Sequence, residues 1–421
     1  MIIQTIEGVN YPINGSNPYN QVFKDFCVLG KNNSGIVSIG IDISSVDPKD
    51  LAHPVNYSLV GAQFENVQIQ SFDTALNIKE CCNSNFKSIS IYSCRLGINI
   101  VGKAVNLTFT TLKATNFTNS NTSSISRTVG LNIDSFFYSA AFEGRPEGII
   151  IGDGCLIFGA ANNIIINRCL FFRISNSIID GATDDCIVIG GPDNISIKGC
   201  YIYTNGKDSS GIKLNPINVS QSKILIADNE IVGYQGELAI GKIANNFGVN
   251  SVVKRIGVTF ENNYITNFKN PIFFNYLNGS KITSNYGRTN YGPFIYLQSD
   301  CSDTIVDGNI SDDSLPILAL HPTTSSNLKI GTNTSLKTKT SFRGYALMLK
   351  DQSQVTTSNE MYNSELYYRV MTIPISNKQL GGLWVENQTA WSESKICSQL
   401  PATVDTKIYY EAIAIPHSAT V

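Results

Sequence analysis

Between about residue 60 and residue 330 the chain repeats short runs in which apolar and polar positions alternate. One form sets a small residue before an apolar, any, apolar triplet. It occurs as Ala75-Leu76-Asn77-Ile78, Gly97-Ile98-Asn99-Ile100, Gly130-Leu131-Asn132-Ile133, Gly148-Ile149-Ile150-Ile151 and Cys186-Ile187-Val188-Ile189. Gly211-Ile212-Lys213-Leu214, Leu238-Ala239-Ile240, Pro271-Ile272-Phe273-Phe274, Pro293-Phe294-Ile295-Tyr296 and Pro316-Ile317-Leu318 continue it. A second form lies between them, as in Asn66-Val67-Gln68-Ile69, Ser88-Ile89-Ser90-Ile91, Asn163-Ile164-Ile165-Ile166, Asn194-Ile195-Ser196-Ile197 and Lys223-Ile224-Leu225-Ile226. Period-two alternation predicts strands in both.

Equivalent positions recur 22 residues apart (76 to 98), then 25 (187 to 212), 26 (212 to 238), 22 (272 to 294) and 23 (294 to 317). Two or three short strands per unit, joined by Asn, Gly and Ser turns, predict an all-β chain coiled into a right-handed parallel β-helix. Each coil cannot bury its own apolar face and must stack on the next, about 4.8 Å away. Three positions beyond an inward residue stand Cys94, Cys169 and Cys200, and later Asn229 and Asn263. These predict an interior ladder at one corner.

Weak periodicity and four prolines (Pro12, Pro18, Pro48, Pro54) mark residues 1–60 as a cap over the first coil, whose open end would otherwise expose unpaired backbone. Residues 61–332 form the helix, with Asn116 to Ser126 thrown out as a polar loop. Residues 333–421 read as a small C-terminal β-domain for oligomerisation or glycan binding. It holds Trp384 and Trp391, whose size favours a core or subunit contact over stacking on sugar.

Thirty-one basic against 33 acidic residues, a net charge of −2, give no cationic excess for nucleic acid. No apolar run is long enough to span a membrane, and Met1-Ile2-Ile3-Gln4-Thr5 lacks the basic start of a signal peptide. The ten cysteines include no Cys-x-x-Cys, and Cys81 and Cys82 are adjacent. Buried free thiols made in a reducing compartment are therefore expected, with no metal and no cofactor.

Candidate chemistry centres on Thr183-Asp184-Asp185-Cys186. Taking Ile149, Ile187 and Ile212 as equivalent inward residues puts Glu147 in register with Asp185, Ser210 in the next coil, and Asp208 beside Asp184. Carboxylates one or two coils apart push their pKa values apart, so one can hold a proton while its neighbours stay charged. Glycoside hydrolysis needs such a pair. An Asp at a β-helix turn can equally serve only to bond nearby backbone.

The segment Asp184-Asp185-Cys186-Ile187-Val188-Ile189, with Asn194-Ile195-Ser196-Ile197 and Gly199-Cys200, resembles the Asp-Asp-Cys-Ile-Ala-Ile segment of the polygalacturonase family of glycoside hydrolases. Arg145-Pro146-Glu147-Gly148 is similar to that family's Asn-Thr-Asp-Gly. The resemblance covers about residues 145–215 and implies a pectin-lyase-like fold and inverting acid chemistry. Asp184 would be the general acid, with Glu147 and Asp185 activating water and Asp208 an additional candidate that the family does not supply. The pattern departs at Ser209-Ser210-Gly211, where the family has Gly-His-Gly. It departs again at Leu238-Ala239-Ile240, where the family's Arg-Ile-Lys binds galacturonate, so a pectic substrate is not implied. Arg145, Lys213 and Lys242 are the candidates for binding anionic groups.

The whole plan, a polar β-helix between a weakly patterned cap and a C-terminal β-domain, also looks like a bacteriophage tailspike. That resemblance implies a homotrimer on the virion, made in the host cytoplasm and joined to the phage tail or baseplate by an N-terminal part. It would bind and hydrolyse a capsule, O-antigen or exopolysaccharide at the bacterial surface as an endo-glycosidase. Two alternatives stand beside it: a polysaccharide lyase on the same fold and a non-catalytic glycan-binding adhesin. A serine esterase is disfavoured because His53, His321 and His417 lie outside the acid-rich coils.

Overall fold

The computed structural model describes residues 20–30, 38–44 and 59–415, except 119–126, 140–141, 192, 207, 216–222, 235–246, 252–254, 276, 298–300, 313–317, 321–327, 336–340, 359–366, 375–382, 388–392 and 404. The described elements are all β. From Val22 to Ser335 they stack in parallel, strands pairing with those of neighbouring coils apart from one antiparallel hairpin, so the chain is a parallel β-helix with three faces.

Sheet A carries the inward column Leu107, Ile149, Phe172, Ile195, Ile224 and Val258. Sheet B carries Leu76, Ile98, Leu131, Ile164, Ile187, Ile212, Val249, Ile272 and Ile295. Sheet C carries Ile91, Ala114, Ile157, Ile179, Ile202, Ile231 and Ile265. All of these side chains are buried, and each large one contributes roughly 1.5–3 kcal/mol on leaving water. Near the N-terminal end Phe23, Phe64, Phe86 and Phe109 stack with centroids 4.7, 4.9 and 4.6 Å apart, a parallel offset geometry that aromatic rings favour.

The expected parallel stacking is observed, but three placements differ from the sequence reading. Val22–Leu29 and Ile39–Ile43 already pair with the next coil, so stacking begins inside the predicted cap. Val249, not Leu238, lies opposite Ile212, and residues 238–240 are outside the described set. Above Ile272 the partner is Ile295 rather than Phe294.

The corner between sheets A and C has one design throughout. A residue in the left-handed region turns the chain, and the next residue points inward. The turning positions include Asn176, Gly199, Asp228, Asn262, Ser284 and Gly308, all with positive φ. Gly, Asn and Asp tolerate this conformation best. At Gly199 (φ +65) an added Cβ would also lie 2.5 Å from Asn176 Oδ1. The inward positions form a ladder: Cys200, Asn229, Asn263, Asn285, Asn309 and Asn333. Each asparagine amide donates to a main-chain carbonyl of the preceding coil, as in Asn263 to Ile226 and Asn285 to Phe260, and to the next asparagine oxygen. Cys94 and Cys169, expected in this column, sit at the other two corners.

All ten cysteines are free, and all but Cys27 and Cys82 are buried. Burial pushes the Cys81, Cys94 and Cys200 thiols up to about 11. Ellman's reagent at pH 8 should therefore titrate Cys27 quickly and the full set only after denaturation. A fast phase of several thiols would contradict this packing.

Beyond the helix, two antiparallel sheets follow. One joins Ser341–Met348 and Tyr367–Pro374 to Thr406–Ile415, and the other joins Gln354–Ser358 and Leu383–Asn387 to Glu393–Ser398.

Candidate functional site

The predicted acid column divides into two places. Ile149 belongs to sheet A, opposite Leu107 and Phe172, whereas Ile187 belongs to sheet B, opposite Ile164 and Ile212. Glu147 is therefore not in register with Asp185. The misalignment arises because Gly148-Ile149-Ile150-Ile151 and Asn163-Ile164-Ile165-Ile166 share one in-out pattern. A hairpin, Phe136–Ser139 with Phe142–Gly144, also lengthens the coil just before Glu147.

Asp184, Asp185, Asp208 and Lys213 occupy the corner from sheet C to sheet B. Asp185 does align with Ser210, whose main-chain N–H donates to Asp185 Oδ1 at 2.9 Å, while Lys213 Nζ donates to Oδ2 at 2.8 Å. Its side chain is only 13% exposed. Both oxygens are thus committed to protein partners, and Lys213 is neutralised. Asp184 pairs with the exposed Arg127 at 2.8 Å, its N–H donates to Ala161 O, and its carbonyl accepts the Thr204 hydroxyl. Asp208 is exposed. Lys242, His53, His321, His417 and Trp391 lie outside the described residues.

Glu147 and Arg145 stand instead at the corner leading into sheet A. Val105 lies opposite Glu147 in the coil below. In the coils above, the same position is held by Leu170, whose N–H donates to Pro146 O, and then by Asp193, just before Asn194, whose N–H donates to Leu170 O. Glu147 and Asp193 are both partly exposed and sit two coils apart, roughly 10 Å between their backbones. Arg145 Nη1 approaches Asp193 at 4.0 Å, and its Nε lies 3.4 Å from Glu143. Arg168 donates a short hydrogen bond to the other Glu143 oxygen. Burial opposes ionisation of Glu143, but hydrogen bonds from Ser135 and Arg168 and the charges of both arginines outweigh it and hold its carboxyl below the usual range. This cluster pins the hairpin to the corner, and the exposed Phe137 rides on it.

A groove of about 500 Å³ opens from that corner along the outside of sheet A. Two outward columns make its floor: Gly148, Phe171, Asn194, Lys223 and Gly257, then Ile150, Arg173, Ser196, Leu225 and Thr259. Phe171 is 51% exposed, while Phe172 beside it is buried in the core. Asp193, Phe171, Arg173 and Lys223 escaped the sequence reading. An aromatic at an outward position of a period-two strand, as in Phe171-Phe172, was the available sign. Among the described residues no group of His, Cys, Asp or Glu is arranged to hold a metal ion.

No helix among the described residues is long and apolar enough to cross a membrane. No protein-family model matches the sequence, and no curated protein matches it either. Several solved structures resemble the fold. The tailspike protein of Escherichia coli bacteriophage HK620, solved with a pentasaccharide, aligns over 84% of this chain and 69% of its own at 7% identity and a TM-score of 0.43. The tailspike protein gp49 of Acinetobacter baumannii bacteriophage Fri1, described as a capsular polysaccharide depolymerase, aligns over 85% and 71% at 10% identity and a TM-score of 0.39. Tailspike gp61 of Pseudomonas phage phi297 aligns over 83% and 66% at 11% identity and a TM-score of 0.38. The chain is an all-β parallel β-helix, and the three solved structures named above, which resemble it, are phage tailspikes.

Proposed function

We propose that this protein is a tailspike-type endo-glycosidase that lays a bacterial surface polysaccharide along sheet A and hydrolyses it with Glu147 and Asp193. One observation supports this above the others: a long groove with an exposed aromatic on its floor has two partly exposed carboxylates at its rim, two coils apart. Stacking on Phe171 would orient a sugar ring, and polar Asn194, Ser196 and Thr259 would read its hydroxyls. The acid would protonate the leaving oxygen while the other carboxylate activates water. The Asp184 and Asp185 corner is assigned a structural part, because its oxygens already serve Arg127, Lys213 and Ser210. A homotrimer on the phage tail is the assembly in which this reading places the chain.

The test is incubation with a panel of capsular polysaccharides, lipopolysaccharides and exopolysaccharides, followed by size exclusion of the products. Shortened chains are expected from at least one. Asp185→Asn should keep that activity while melting at a lower temperature, since it weakens the pair with Lys213. If Asp185→Asn abolishes cleavage in a folded protein, the chemistry belongs at that corner instead. Arg173 and Lys223 on the floor favour a second reading, a lyase, in which a basic residue removes a proton beside a uronate. New ultraviolet absorbance from an unsaturated sugar would establish that route.

A further inference from the structure

The groove floor carries a charge unlike that of the molecule as a whole. The chain has 31 Lys and Arg against 33 Asp and Glu, yet the residues lining the groove include Arg173 and Lys223 and no carboxylate. Both cations are exposed. Among the described residues no ion pair is formed by either, in contrast to Arg145 and Arg168 at the rim, which are held by Glu143 and Asp193, and to Lys213, which is held by Asp185. Arg173 lies one column along the strand from Lys223 and two coils below it, which separates their backbones by roughly 12 Å. Ile150, Leu225 and Phe171 surround them with apolar surface, where water screens a charge less than it does in the open.

Resting on the reading of this groove as the polysaccharide site, we infer that its substrate class is an acidic glycan, one whose repeating unit bears a carboxylate or comparable anion. Arg173 takes one such group through its planar fork, and Lys223 takes the next along the chain as a point charge. Apolar sugar faces rest on Phe171, which shares a strand with Arg173 and a column with Lys223. A neutral polymer would leave both cations desolvated without partners, so the same floor discriminates against it.

The experiment measures binding and chain shortening for a panel of purified capsular polysaccharides with acidic or neutral repeats, in low and high NaCl. For each acidic polymer bound, its carboxyl-reduced form is measured too. Binding is expected for acidic members only, and to weaken with salt. Carboxyl reduction, Arg173→Gln and Lys223→Gln should each weaken it at least about tenfold, the worth of one charge-assisted contact, and both variants should flatten the salt dependence. Both side chains are exposed, so the variants should melt as the parent does. Neutral polymers bound and shortened as well as acidic ones, or full affinity in both variants, would overturn the inference while leaving the glycosidase reading intact. A protein that binds nothing in the panel overturns both.

Discussion

Glu147→Gln and Asp193→Asn should each lower the rate of glycan-chain cleavage by at least about a hundredfold, the usual contribution of a positioned general acid or base. Binding of the intact polymer should survive in both, because the groove floor is untouched. The expectation follows from register. With Leu170 as the only rung between them, the two carboxylates stand far enough apart to hold a sugar oxygen and a water between them, the arrangement of inverting enzymes at roughly 6.5–9.5 Å between carboxyl groups. Proton NMR of freshly released ends should then show the anomer inverted. Retention of configuration, or near-parent rates in either variant, would remove this pair from the chemistry. Arg145 approaches one of these acids, Asp193, so Arg145→Gln should shift the pH profile of cleavage rather than abolish it.

Asn285→Leu should destabilise the fold by at least about 3 kcal/mol, because it strands several buried polar groups at once and each costs roughly 1–3 kcal/mol. Asn285 Oδ1 accepts both the N–H and the side-chain amide of Asn263 at 3.0 Å, and its own amide serves Phe260 O at 3.0 Å and Asn309 Oδ1 at 2.9 Å. The site is 1% exposed, so no water replaces these bonds. Asn99→Ala is the matched comparison. Asn99 belongs to a second ladder, Asp42, Asn77, Asn99 and Asn132, on the outside of sheet B, where solvent can take over the lost bonds. The midpoint of denaturant unfolding should fall far more for Asn285→Leu than for Asn99→Ala. Equal shifts would mean that the interior ladder is not what holds successive coils in register.

The fold was legible because alternation fixes which side chains face inward, and coil length fixes how often they recur. Cys200, Asn229 and Asn263 could be placed in one column on those grounds alone. Alternation does not say which face of the helix a strand belongs to. Leu131 to Ile164 spans 33 residues because a hairpin is inserted, and nothing in the apolar pattern marks Ile149 as sheet A and Ile164 as sheet B. That ambiguity put Glu147 beside Asp185 and hid Asp193, which stands alone in sequence and meets Glu147 only through stacking. Asp185 itself drew notice as one of a pair of adjacent acids, and Ser210 could be placed above it, yet alternation does not say that the Ser210 amide and Lys213 take up its two oxygens.

Ile197 to Ile202, Ile226 to Ile231, Phe260 to Ile265 and Ile282 to Gly287 are each five residues apart, so the sheet A to sheet C corner admits almost no variation in length. The other two corners absorb every large excursion: Ala114 to Leu131, Leu131 to Ile149 and Ile231 to Val249. One edge of the prism therefore acts as a spine along which coils are indexed, while the other two are free to exchange loops without disturbing it. Insertions and deletions should accumulate on the two permissive edges, so that surface excursions can be replaced on an unaltered scaffold.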